Sequence, residues 1–169
     1  VSSNLQKKHL VTHLNWKKKN IKILPSLRFQ KKNKKNFKRV VFLPTEFNSI
    51  KFIVDQMKFI INEKKVNLSN FKIKIHPKNL KNKKHLNLKK NIETELKKNN
   101  TKINNKDNFS IFIGATGSII EALQHGIKCY HICEEPIFEA YSYELWKDIR
   151  VKELTKNIYL YLPNKKGDI

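Results

Sequence analysis

The chain has 169 residues, with 36 Lys and Arg against 14 Asp and Glu and a formal net charge of +22. That length allows one domain with a proper hydrophobic core. No apolar run approaches the ~20 residues of a membrane-spanning helix, and no secretory apolar region opens the chain. Membrane association is therefore expected to be peripheral, and the location cytoplasmic or at the inner face of the membrane.

A charge this positive invites a nucleic-acid reading. The residue types argue against it. Arg occurs only at 28, 39 and 150, and Arg is the side chain of bidentate phosphate and base recognition. The aromatics lie mostly in apolar runs and not among the lysines, as a base-stacking surface would need. Lys is mixed with Asn throughout the polar segments, a composition that AT-rich coding would also give. A solvated lysine surface is the plain reading, with an anionic membrane or an acidic substrate as the alternatives. Cys129 and Cys133 fall in one predicted strand, about 13 Å apart, too far to bridge. They read as free, buried thiols of a reducing compartment.

Residues 1–38 contain no Asp or Glu. They read as a basic linker or the remnant of a preceding domain, ordered in part through Trp16, Ile21, Ile23 and Leu24. The start at Val1 suggests a piece of a longer protein. Residues 39–169 read as the folded domain. Arg39–Leu43 is a buried strand ended by Pro44. Residues 49–64 carry Ile50, Ile53, Val54, Met57, Ile60 and Ile61 at helical spacing. Phe71–Ile75 alternates as a strand should, and His76-Pro77 closes it. Residues 78–108 are the least patterned, with one helix expected near 87–98 from Leu86, Leu88, Ile92 and Leu96, and a short edge strand at Ile103.

Phe109–Ile113 is an apolar run suited to a central strand covered on both faces. Gly114-Ala115-Thr116-Gly117 is a small-residue turn that lets backbone approach a ligand. Ser118 with Glu121 has the capping-box spacing at the start of a short helix, and Gly126 suits its end. A strand over Ile127–Cys133 follows, then a loop at Glu134-Glu135-Pro136. A helix is expected over Ile137–Asp148. Short apolar runs at Val151–Leu154 and Ile158–Leu162 close the chain.

Alternating strands and helices predict a doubly wound, Rossmann-like α/β fold. It would have a parallel sheet, right-handed crossovers and helices on both faces. Such sheets bind ligands at the carboxyl ends of their strands. The candidates at those ends are Thr45 and Glu46, His76 and Pro77, Thr116, Gly117 and Ser118, and the segment from Cys133 to Glu135. The helix N-terminus at Ser118 is a natural anion site. The turn is neither the dinucleotide fingerprint nor a P-loop. His76 is held extended by Pro77, with a capping role as the plain alternative. His131, in mid-strand, reads as a core histidine. His125 reads as a surface residue at a helix end, and His85, His9 and His13 carry no pattern. No grouping has metal-ligand spacing, and no Ser-His-Asp set emerges.

Ile75-His76-Pro77, Ile111 to Ser118, Glu121-Ala122-Leu123, Gly126 and the strand to Cys133 and Pro136 together resemble the C-terminal, nucleotide-binding half of GT-B glycosyltransferases. The likeness covers residues 39–148. It is nearest to bacterial sialyl- and polysialyltransferases with a His-Pro motif and to capsule Kdo-transferase-like enzymes. The resemblance implies that His76 is the catalytic residue and contacts the donor phosphate, while Pro77 shapes its loop. It implies that Thr116, Gly117 and Ser118 hold the nucleotide, with Glu121 or Glu139 toward the ribose. A CMP-sugar is the implied donor, a UDP-sugar the next, with no metal or other cofactor. The acceptor would be a glycan or a lipid-linked glycan. The general base of such enzymes lies in the other domain, and residues 1–38 supply no acid, so the chain reads as half an enzyme. A CDP-glycerol-type glycerophosphotransferase domain is the related alternative. A non-catalytic interaction domain and a basic nucleic-acid-binding module are the alternatives from other classes.

Overall fold

The computed structural model describes residues 4–24, 37–64, 71–98, 108–114, 116–133 and 149–163. The chain divides into two compact units, Val1–Asn36 and Phe37–Ile169.

In the first unit, helix α1 spans Asn4–Leu14. The sequence reading placed no helix there, because α1 has no acid in its first turn and no apolar stripe to announce it. Asn15 adopts φ 54° at its end, and the Trp16 N–H donates to Leu10 O at 3.0 Å. Lys7 Nζ donates to Ile21 O at 2.8 Å, tying α1 to the segment after a short 3₁₀ turn at Lys18–Asn20.

The second unit is built on a six-stranded sheet in the order β2-β1-β3-β4-β6-β5. The strands are β1 Val40–Phe42, β2 Lys72–Lys74, β3 Phe109–Ile113, β4 Lys128–Ile132, β5 Ile149–Thr155 and β6 Ile158–Pro163. The first four pair in parallel. The last two do not continue that pattern. β6 runs antiparallel to β4, and β5 antiparallel to β6. The sheet is therefore mixed, where an all-parallel one was expected. Only Lys156 and Asn157 separate β5 from β6, and two residues can make a hairpin but not a crossover. Neither residue has positive φ, so the turn is not of the primed type that matches strand twist. A bulge between Glu153 and Thr155 takes up the irregularity.

Among the described residues, three helices belong to this unit: α2 Ile50–Lys64, α3 Lys83–Lys98 and α4 Ser118–Gln124. β3 explains their placement. Its five residues are all buried, and alternation sends them to two cores. Phe109, Ile111 and Ile113 join Ile53, Met57 and Ile60 of α2 and Leu88, Ile92 and Leu96 of α3. Phe112 joins Ile119, Ala122 and Leu123 of α4 on the other face. Helices thus cover both faces. α2 and α3 share one face although their crossovers step across the sheet in opposite directions. The two cannot both have the expected right-handed sense.

α3 begins at Lys83, one turn earlier than the expected 87, and its buried face is His85, Leu88, Ile92 and Leu96. Leu86, expected in that stripe, is exposed. Gly126 ends α4 as the sequence indicates. It takes φ 69°, its N–H donates to Leu123 O, and the Ile127 N–H donates to Ala122 O, the paired bonds of a Schellman motif. Ile103, the Glu134-Glu135-Pro136 loop and the helix expected over 137–148 lie outside the described residues.

Candidate functional site at the carboxyl ends of the parallel strands

Parallel pairing carries the ends of β1, β2, β3 and β4 to one edge of the sheet. The segment that leaves β1 holds the neighbouring loops together. Leu43 N–H donates to Lys74 O at 2.9 Å, which keeps β1 and β2 in register past the strand ends. Pro44 is buried, Thr45 half-buried and Glu46 exposed.

After β2, His76-Pro77 opens a 3₁₀ turn over Pro77–Asn79. His76 is exposed, and its Nδ1 accepts the Lys78 N–H at 3.3 Å. The capping role held as the plain alternative is thus real. An accepting Nδ1 places the ring proton on Nε2. Asn79 then reaches back. Its Nδ2 donates to Thr45 O at 2.7 Å, while its own N–H donates to His76 O at 2.8 Å. One buried amide thus ties the His76 turn to the end of β1.

His85, on the buried face of α3, completes this junction. Its Nε2 lies 3.1 Å from both Pro44 O and Thr45 O and 3.0 Å from Asn79 Nδ2. With the proton on Nε2 the ring donates to the two carbonyls; with the proton on Nδ1 it accepts from Asn79. In either tautomer Asn79 Nδ2 and His85 Nε2 converge on Thr45 O. The His85 ring meets the Phe47 ring edge-on at 5.1 Å, and its Nδ1 is buried with no hydrogen-bond partner. The sequence reading gave neither Asn79 nor His85 a role. The available signal was spacing: His85 stands three residues before Leu88, in the stripe of α3.

At the end of β3, Gly114 adopts φ 68°, and a Cβ there would lie 2.9 Å from Pro44 Cβ. The glycine is needed for packing against β1, where the sequence reading had assigned it to ligand approach. Its N–H donates to Ile132 O at 2.8 Å. Its carbonyl accepts from His131 Nε2 at 3.0 Å. The Tyr161 hydroxyl then donates to His131 Nδ1 at 3.2 Å. His131 is the satisfied core histidine expected, and burial lowers its pKa to about 4, partly opposed by the Gly114 bond.

Beyond Gly114 the capping box does not form. Ser118 is the first residue of α4, not its cap, and Gly117 in the cap position makes no side-chain bond. Thr116 acts instead. Its Oγ1 accepts the Ser118 N–H at 3.3 Å, and its carbonyl accepts the Ile119 N–H at 3.4 Å. Two of the four N–H groups that open this seven-residue helix, those of Ser118 and Ile119, are therefore occupied from within the turn. Glu121 is buried and not displayed at the edge. Glu139 and Ala115 lie outside the described residues.

Cys133 follows β4, and its N–H donates to Asn157 O while Asn157 Nδ2 donates to Cys133 O at 3.0 Å. Cys129 and Cys133 are free and buried as expected, and burial raises the pKa of both thiols. His125 is exposed at the end of α4. Among the described residues no three His, Cys, Asp or Glu side chains group to hold a metal ion. No helix among them is long and apolar enough to cross a membrane.

Of the candidates, Thr45 is tied to the His76 turn through Asn79, and Glu46 O lies 3.9 Å from the Cβ position of Gly114. The strand-end loops of β1, β2 and β3 thus meet. Compared with protein families, curated proteins and solved structures, the chain matches none.

Proposed function

We propose that the second unit is a nucleotide-binding α/β domain, the donor half of a glycosyltransferase with GT-B-like, doubly wound ancestry. The observation that carries the reading is the junction at β1. Its closing residues Pro44 to Glu46 are bonded to the His76 turn and packed on Gly114, so three strand-end loops form one surface. Ligands of parallel α/β sheets bind at that edge.

In this reading His76 Nε2–H faces the donor phosphate. The exposed ring and the occupied Nδ1 leave that nitrogen as the outward donor. Transfer breaks the bond between the sugar carbon and the phosphate oxygen. The electron pair leaves on that oxygen, and a fixed N–H donor lowers the barrier by meeting the developing charge. The acceptor hydroxyl forms the new bond and gives its proton to a base on another domain. Thr45, Glu46, Pro77, Thr116, Gly117 and Ser118 line the donor side. A CMP-sugar is the favoured donor and a UDP-sugar the next, transferred to a surface glycan.

Calorimetric titration with CMP, CDP, UDP and GDP tests this. CMP or CDP is expected to bind, with His76→Ala and Thr116→Ala each weakening binding about tenfold, the scale of a hydrogen bond to a charged group. A preference for UDP keeps the transferase and changes the donor. Absence of binding to all four by the folded chain sinks the reading.

A further inference from the structure

From Phe71 to Ile92 the chain carries eight lysines and no Asp or Glu. The run covers edge strand β2, the turn after it and the first half of α3. Not all eight lysines are available. Lys84 Nζ donates to Phe47 O at 2.7 Å and lies 4.6 Å from the centre of the Phe47 ring. Lys89 pairs with Glu93 at 3.6 Å, and Lys74 stands over the Phe42 ring. Lys72, Lys78, Lys81, Lys83 and Lys90 are exposed with no acidic partner among the described residues.

Two leucines sit inside this basic run. Leu80 is 58% exposed and Leu86 45% exposed. Among the described residues of the second unit only Phe59 joins them as a large exposed hydrophobic. Lys83, Leu86 and Lys90 follow i, i+3, i+7 spacing and share a helix face, turned away from buried Leu88 and Ile92. Leu80 precedes that face by three residues. An aliphatic side chain in water is unremarkable alone. Two of them framed by unpaired lysines make a surface that is cationic at its rim and apolar at its tip.

We propose that this surface docks on an anionic lipid bilayer. Lysine ammonium groups attract acidic headgroups within a Debye length, and exposed aliphatic side chains enter the headgroup–acyl boundary. The exposed apolar residues are leucines, which lipid accepts. A single-stranded nucleic acid would call for aromatic platforms. The lysines are compact point charges, sufficient for headgroup attraction without bidentate readout. The site is independent of the nucleotide reading, although docking would place the His76 turn beside the membrane.

The test is co-sedimentation of the full chain with vesicles of phosphatidylcholine alone or mixed with phosphatidylserine, at physiological ionic strength. Three variants are compared with the parent after circular dichroism has matched their folds. They are Lys78→Gln/Lys81→Gln/Lys83→Gln, Leu80→Ser/Leu86→Ser, and a control, Lys51→Gln/Lys152→Gln/Lys156→Gln, which removes the same charge elsewhere. The parent should bind only the phosphatidylserine vesicles. The first variant should lose more than about tenfold in binding, at roughly fivefold per lysine. The leucine variant should also bind more weakly, and the control should stay within about twofold of the parent. Equal losses in the two lysine variants, or undiminished binding by the leucine variant, would overturn the proposal. So would a single-stranded oligonucleotide that outcompetes the vesicles and loses affinity in the first variant but not in the second.

Discussion

A Cβ on Gly114 would meet Pro44 Cβ at 2.9 Å. The approach joins the ends of β1 and β3, and the backbone at Gly114 is left-handed, at φ 68°. Both features oppose a side chain. Gly114→Ala is expected to lower stability by about 2–4 kcal/mol, combining backbone strain and overpacking. Urea denaturation should show an earlier midpoint at unchanged slope. Gly117 has φ −67° and is exposed. Gly117→Ala should therefore stay within about 0.5 kcal/mol of the parent, and an equal loss in the two variants would refute this account of Gly114.

Ser110 is a buried hydroxyl in the most buried strand. It donates to Phe37 O and accepts the Val40 N–H at 3.3 Å, holding the turn that enters β1. Ser110→Ala leaves both backbone groups without that partner. A loss of about 2 kcal/mol is expected. A thermal midpoint matching that of the parent would show that other partners replace the hydroxyl.

His131 makes stability depend on pH. Its folded pKa is about 4 against about 6.5 in an unfolded chain. Between those values the unfolded state binds a proton that the folded state does not. Stability is therefore full above about pH 6.5, falls as the pH drops and levels off near pH 4. The contribution is about 3 kcal/mol over the window. His131→Leu removes the titration and also leaves Tyr161 and Gly114 without their partner. It should be less stable at pH 7 but lose less stability between pH 6.5 and 4. Parallel stability curves would exclude the effect.

Asn79 is a positioning residue for the candidate site. Asn79→Ala removes the bond to Thr45 O but keeps the His76 ring. If the nucleotide reading holds, affinity should fall several-fold, while Asn79→Asp, which cannot donate to a carbonyl, should not restore it. Equal affinity in all three proteins would free the His76 turn from any dependence on β1.

Buried thiols resist reaction because burial disfavours the thiolate. Neither Cys129 nor Cys133 should react with a disulfide reagent in the folded chain, and both should react in urea. A fast phase in native buffer would mark a local opening near β4.

Much of this architecture was legible in residue patterns. The run Phe109–Ile113 is the strand itself, since two-sided burial leaves Ser110 as its one polar residue. The stripe from Ile50 to Ile61 gives α2 to within a residue. The β5–β6 hairpin was missed as a pairing because Lys156-Asn157 lacks the glycine that advertises a tight turn. His85 was missed because a histidine in a helical stripe looks like a break in it. Its bonds to Pro44 and Thr45 span about 40 residues of chain, and no local pattern encodes such a contact. Ser118 and Glu121 had the right spacing for a cap, but Thr116 already holds the Ser118 N–H.

Asn157 and Cys133 bind each other at the same edge as Thr45, His76 and Thr116. The hairpin turn is thus a fifth loop beside the four strand ends, though it belongs to antiparallel strands. Residues inserted between Lys156 and Asn157 would lengthen the rim of that edge and leave both cores untouched. Chain length can change there while the framework stays constant.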